Sequence, residues 1–373
     1  MQTADHAREL VGRASPSRLS NAEVSAYVEQ TLQSLDFETE RVEYDDENGV
    51  RKVNVLGKKG PGRAGLTFFG HTDTVPADNW AEGDPFKPFV RDGRLYGRGS
   101  CDMKGPVACM LAAAACFKRS ELTRPVFIVC TADEEIGYGG ATSVVARSQL
   151  FREMKAGKGI IGEPTKLEVV HAHKGAIGFH AISHGRAAHS STGLGINANL
   201  AIIPFLAEMK KIHDELMSDP KYRNEEFDPP VPGWNIGIND GNTAVNITAP
   251  RSVATVYARP MPGTDSDALI LRVRAAAEQY GLELSIKCNG RPMYTDPKSE
   301  FVQQVLAVAG RTKPRTVPYG TDGITFGPHL PLVVCGPGDI AQAHTVDEWI
   351  ELDQLERGTA LYVKLIQRFC VRT

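Results

Sequence analysis

The sequence predicts an α/β fold in two parts: a layered domain on a parallel sheet, interrupted by a smaller α+β domain. Three observations carry this. Short unbroken apolar runs at 66–69, 126–130, 160–162 and 332–335 suit strands buried on both faces of a parallel sheet. Helical patterns alternate with these runs, as in a layered α/β domain. Between about 175 and 288 the texture changes to the order β-α-β-β-α-β, the split-βαβ pattern. A chain of 373 residues also exceeds the size at which a single core stops growing. The expected division is 1–174 and 289–373 for the layered domain, with 175–288 inserted.

In chain order, residues 20–35 place Val24, Tyr27, Val28, Leu32 and Leu35 on one helical face, and Ser20 with Glu23 matches a capping box. Residues 37–59 read as strands around a polar turn at 45–49, leading into the run that ends just before His71. Gly97 and Gly99 mark a turn before an apolar segment at 107–117 that is long enough for a core helix. In the insert, 175–183 alternates like a strand, 197–216 is helical apart from Pro204, and 234–239 and 252–258 are strands. A helix at 265–280 and a strand at 282–288 complete it, after which a helix at 298–309 resumes the first pattern.

The bulk composition excludes several classes. Net charge is −3 and no Lys/Arg stripe interleaves with aromatics, which argues against a nucleic-acid partner. No apolar run is long enough to span a bilayer, and MQTADHAREL lacks the apolar core of a signal peptide, so the expected compartment is the cytoplasm. The seven cysteines form no CxxC pair; Cys109, Cys116, Cys130 and Cys335 lie in apolar runs and read as reduced core residues. Cys101, beside Asp102, is the exception by position.

The candidate chemistry begins at His71 and Asp73, whose spacing of two points both side chains the same way on an extended backbone. A metal-binding imidazole usually gives its other N–H to a carboxylate, and on an extended backbone Asp73 is placed to orient His71 in this way. Taken alone, a His-x-Asp pair also suits an ordinary turn, and an Asp before a helix an ordinary cap. Downstream acids change the balance. Glu134 and Glu135 follow one strand, Glu163 follows another, and His344 follows the loop after a third. In open α/β sheets, ligands gather at these carboxyl ends. Two imidazoles and four carboxylates, counting Asp102, suit zinc or a similar divalent ion; they are too many for one tetrahedral site and about right for two ions and a base. His171 and His173 read as ordinary polar residues beside a complete set.

The blocks HTDTVP, GRGSCDMKG, ADEE, GEPT and AQAHTVDE, in that order, resemble the co-catalytic zinc family that includes acetylornithine deacetylase, succinyl-diaminopimelate desuccinylase, aminoacylase and glutamate carboxypeptidase. The resemblance covers almost the whole chain. It implies a zinc-peptidase-like catalytic domain with a mixed, largely parallel sheet and an inserted ferredoxin-like dimerisation or lid domain. It further implies two Zn2+ ions, replaceable by Co2+ or Mn2+, with His71 and Glu163 on one, Glu135 and His344 on the other, and Asp102 bridging. Asp73 then orients His71, Glu134 is the general base, and a non-proline cis peptide follows Asp102. In the insert, His189 matches a histidine that reaches the partner subunit's site, Asn246 an asparagine that touches substrate, and Arg259 an arginine that holds a substrate carboxylate; Thr321 falls in a loop resembling part of the substrate pocket. The expected partners are a small N-acyl amino acid and a second copy of the chain. Hydrolysis of acetylornithine is the expected reaction, with succinyl-diaminopimelate desuccinylase and glutamate carboxypeptidase as alternatives. A non-catalytic binding protein on this fold is the alternative of another class.

Overall fold

A computed structural model describes residues 2–372; Met1 and Thr373, which end the expected flanking segments, lie outside them. Two compact units are present. The first runs to Ala172 and takes up Tyr294–Arg315 and the chain from Thr321; the second comprises His173–Met293 and Thr316–Gly320.

In the first unit, six strands of the large sheet lie in the order Glu38–Asp45, Arg51–Lys59, Val126–Thr131, Leu66–His71, Lys158–Pro164, Leu332–Gly336. The first two pairings in this order are antiparallel and the last three are parallel. Leu66–His71 and Val126–Thr131 are buried at every position, as continuous apolar runs require when helices cover both faces. One covering helix, Lys104–Ala115, is apolar all round because it packs against the Thr3–Val11 and Leu352–Cys370 helices as well as the sheet. Leu352–Cys370 is amphipathic, burying Leu355, Leu361, Tyr362, Leu365 and Ile366.

The register brings the candidate residues to one end of this sheet. His71 pairs with Thr131, just before Glu134 and Glu135. Phe69 pairs with Ile161, which sets His71 level with Glu163, and Gly336 pairs with Pro164, so the loop to His344 leaves from the same edge.

The second unit has strands Ala176–His184, Gly233–Asn239, Arg251–Arg259 and Glu283–Gly290, all antiparallel, with the second strand beside the third, then the first, then the fourth. Helices Ala198–Ser218 and Ser266–Gln279 pack on it through Ile202, Phe205, Met209, Leu269 and Val273. This is the ferredoxin-like arrangement.

Two local expectations fail. The helix after Ser20 begins at Ala22 with Asn21 at its N-cap, and no capping box forms. Asn21 instead turns inward and bonds the Val53 carbonyl and Thr72 hydroxyl, a tertiary demand that outweighs the local motif. The insert's long helix also continues through Pro204, which faces outward.

Candidate metal centre

His71 ends a fully buried strand, so its ring has little freedom. Its Nδ1–H donates to the Asp73 carbonyl at 3.0 Å, leaving Nε2 as the free ligand atom, 3.1 Å from Asp102 Oδ1 and 3.4 Å from Glu163 Oε1. The orienting atom is therefore the Asp73 carbonyl. The Asp73 carboxylate stands 3.6 Å from Nδ1 and accepts instead from the Ser17 hydroxyl and the Glu134 and Glu135 backbone amides, at 2.8, 3.2 and 3.3 Å. Asp73 thus ties the His71 strand end to the turn carrying both glutamates.

On the other side, His344 Nε2 lies 3.1 Å from Glu135 Oε2 and 3.3 Å from Asp102 Oδ2. Two groups of donor atoms result, His71–Asp102–Glu163 and Asp102–Glu135–His344, each with its atoms within 4.8 Å of one another. They share Asp102 through different oxygens. The Asp102–Met103 peptide is cis.

The electrostatics are those of a site lacking countercharge. Burial, then Glu163, Glu135 and Asp322, push the Glu134 carboxyl well above the usual range against the pull of His71. Burial and the Asp102 charge push Glu135 and Glu163 up likewise. Burial opposes ionisation of Asp102 too, but contacts with His344 and His71 hold its carboxyl low. The Asp102 and Glu135 carboxylates raise His344 to about 10. Divalent cations would supply the missing positive charge, leaving carboxylates ionised and imidazoles neutral. The mixed N/O donor sets, sharing one carboxylate, fit two such ions.

Residues 67–368 match the profile described as Peptidase family M20/M25/M40. The chain belongs to that family. Among curated M20-type relatives, the acetylornithine deacetylase of Pasteurella multocida is 34% identical over 360 residues, 94% of this chain and 92% of the relative. That of Myxococcus xanthus is 33% identical over 377 residues, covering 97% and 96%. An M20 family metallo-carboxypeptidase from Sulfolobus solfataricus has the same fold, with a TM-score of 0.78 at 18% identity and coverage of 98% and 99%. Membership makes this chain a metal-dependent hydrolase, and no helix among the described residues is long and apolar enough to cross a membrane.

Of the other candidates, Thr321 is fully buried, and its hydroxyl accepts from the Gly323 amide at 2.9 Å. In the second unit, the Arg259 guanidinium lies over the Tyr257 ring, and its buried Nη1 has no hydrogen-bond partner among the described residues. His189 is exposed, and its Nδ1 accepts from the Ser191 amide at 3.3 Å, so Nε2 carries the proton. Asn246 is exposed and offers its carbonyl to the Ser190 amide at 2.9 Å. His171 bonds the Thr295 carbonyl and His173 the Lys174 carbonyl, as structural histidines do. Cys101 is buried, with its thiol pushed well up by burial and by Glu348 and Asp102; Cys116, expected in the core, is exposed.

Three further polar residues stand around the site: Ser17, which lies in no block, Arg98, inside GRGSCDMKG, and Asp322, next to Thr321 in the loop resembling part of the substrate pocket. The last is buried and accepts from the Thr131 hydroxyl at 2.6 Å. Glu348 lies inside the AQAHTVDE block but has no chemistry there until its partners are seen.

Proposed function

We propose that the chain hydrolyses the amide of an N-acyl amino acid, with acetylornithine as substrate, releasing ornithine and acetate. The observation that carries this is Asp102, shared by two donor sets with Glu134 alongside; the curated relatives, spanning more than nine-tenths of the chain, supply the substrate. Two zinc ions, or cobalt or manganese in their place, held by His71, Asp102, Glu135, Glu163 and His344, would polarise the acyl carbonyl and make water acidic. Glu134 takes one proton from the attacking water as the new C–O bond forms, then gives it to the nitrogen as the C–N bond breaks. Asp73 keeps Glu134 in place through its amide. His189, with its proton on Nε2, donates to the oxyanion that develops on the acyl oxygen. Arg259 receives the substrate carboxylate, a role supported by its unpartnered Nη1, and Asn246 adds a polar contact. Thr321 shapes the pocket wall by fixing its own turn.

The second unit is, in this reading, a dimerisation domain. Support comes from exposed Leu194, Leu200, Ile203, Ile238 and Val245, the last 98% exposed, together with an unpaired sheet edge at Gly233–Asn239. The unpaired cysteines suit a reducing cytoplasm.

Assays of the zinc-loaded protein on acetylornithine, succinyl-diaminopimelate and an N-acylated glutamate test the substrate. Acetylornithine should have the highest kcat/KM. A higher value for either alternative transfers the assignment to desuccinylase or glutamate carboxypeptidase chemistry, and negligible rates on all three defeat it.

A further inference from the structure

Glu348 is 1% exposed, yet it carries a carboxylate whose two oxygens are fully engaged. Oε1 accepts from the backbone amides of Cys101 and Asp102 at 2.8 and 2.9 Å. Oε2 accepts from the Gly99 amide at 2.9 Å and from Arg98 Nη1 at 2.8 Å. One side chain therefore gathers three amides of the turn that delivers Asp102. The pairing of Trp349 with Tyr96 holds Glu348 beside that turn.

Arg98, itself 3% exposed, continues the connection: its Nη2 donates to the Thr345 carbonyl at 2.9 Å, directly after His344. His344 needs such support. Its side chain is 52% exposed and its φ is +63°, a left-handed conformation that a non-glycine residue adopts only when held. Among the described residues, the hydrogen bonds of the Glu348 and Arg98 side chains go to the 98–102 turn and Thr345 rather than to the donor atoms of His71 or Glu163. Glu348 holds the Asp102 turn, and Arg98 ties Glu348 to the residue after His344.

We propose that Glu348 and Arg98 are positioning residues that fix the spacing between the Asp102 turn and the His344 turn, and thereby set how tightly the Asp102–Glu135–His344 donors hold a cation. The inference rests on the two-cation reading and is independent of which acyl amino acid is cleaved. Supporting residues behind metal ligands typically change metal affinity by about 10–100-fold when altered. Arg98 reaches the His344 turn through Thr345, so its substitution should fall on the His344 ion, whereas Glu348 acts on Asp102, which both donor sets share.

The test is calorimetric titration of the metal-stripped full chain with Zn2+, alongside thermal melting. Arg98→Lys keeps the charge beside Glu348, but one ammonium cannot span both the carboxylate and the Thr345 carbonyl. Glu348→Gln keeps the shape and turns an NH2 toward backbone amides. The expected result for Arg98→Lys is one equivalent bound as in the wild type and the other weakened by about tenfold or more. Excess Zn2+ should then restore kcat with KM unchanged. Folded Arg98→Lys binding both equivalents like the wild type overturns the proposal, as does equal weakening of both. Glu348→Gln, which loosens the turn of the shared Asp102, should weaken both equivalents; folded Glu348→Gln binding both like the wild type also overturns the proposal, and should it not fold, Arg98→Lys decides alone. A wild-type stoichiometry below two overturns the two-cation reading and this proposal with it, whereas a substrate mismatch with two ions bound leaves it standing.

Discussion

Glu134 and Glu135 are neighbours whose amides share one acceptor, the Asp73 carboxylate, while only Glu135 reaches His344. On the proposed mechanism, that difference separates base from ligand. Glu134→Ala should keep both zinc ions by metal analysis while turnover falls by about 10²–10⁴-fold, the usual worth of a general base; loss of an ion would exchange the two assignments. Away from the centre, burial lowers the His173 imidazole from 6.5 to about 4. The unfolded chain then binds the extra proton first, so stability falls as pH drops through that window. Between pH 7 and pH 5 this one group should cost about 2 kcal/mol, and urea unfolding of His173→Gln should show a correspondingly shallower pH dependence. At this scale the ligand types stood out in the sequence because acids and imidazoles follow the carboxyl ends of the apolar strands, where ligands gather, whereas the choice of Glu134 as base came from the family resemblance. The part played by Asp73 did not, since its partners are a ring N–H met by its own carbonyl and two backbone amides. Backbone donors leave no mark in a sequence, which also hides Glu348.

The elements were more legible than their ends. Continuous apolar runs located the Leu66–His71 and Val126–Thr131 strands because buried parallel strands leave no polar face. Ser20 and Glu23 misled because a local capping motif cannot register that Asn21 is wanted by Val53 and Thr72. Pro204 misled for a different reason. It lies on the outer face of Ala198–Ser218, while Ile202, Phe205, Met209 and Ile212 anchor the inner face, so water can satisfy the carbonyl that proline leaves unbonded. Pro204→Ala should raise the melting temperature, by at most the roughly 3 kcal/mol that an interior proline costs. The Lys104–Ala115 helix allows less change. A Cβ on Gly105 would sit 2.3 Å from the Ser100 carbonyl, in the turn that delivers Asp102. Gly105→Ala should therefore destabilise the fold by about 1–3 kcal/mol in urea unfolding and weaken zinc binding as that turn shifts.

For the whole molecule, the β-α-β-β-α-β order was enough to show an inserted unit, because alternating half-buried strands read differently from the continuous apolar runs around them. The short return of Thr316–Gly320 to that unit had no such signal, because it begins in a strand of three residues, Arg315–Val317, too short to show a period. On the proposed mechanism the division matters, since Glu134 belongs to one unit and His189 to the other. If the chain pairs through its second unit, each His189 can serve the centre of its partner, and two separately inactive variants become informative. In an equal mixture of Glu134→Ala and His189→Ala, about half the dimers are mixed. Within a mixed dimer, the His189→Ala protomer retains Glu134 and receives an intact histidine from the other protomer; the second centre lacks its base. Turnover should then recover to about a quarter of the wild-type value after subunit exchange. Were His189 to act within its own chain, neither centre of the mixed dimer would be complete, and the mixture would stay as inactive as its parts. Sedimentation of the same mixture, with one variant tagged, reports whether subunits have exchanged, so silence from an exchanged mixture assigns His189 to its own chain.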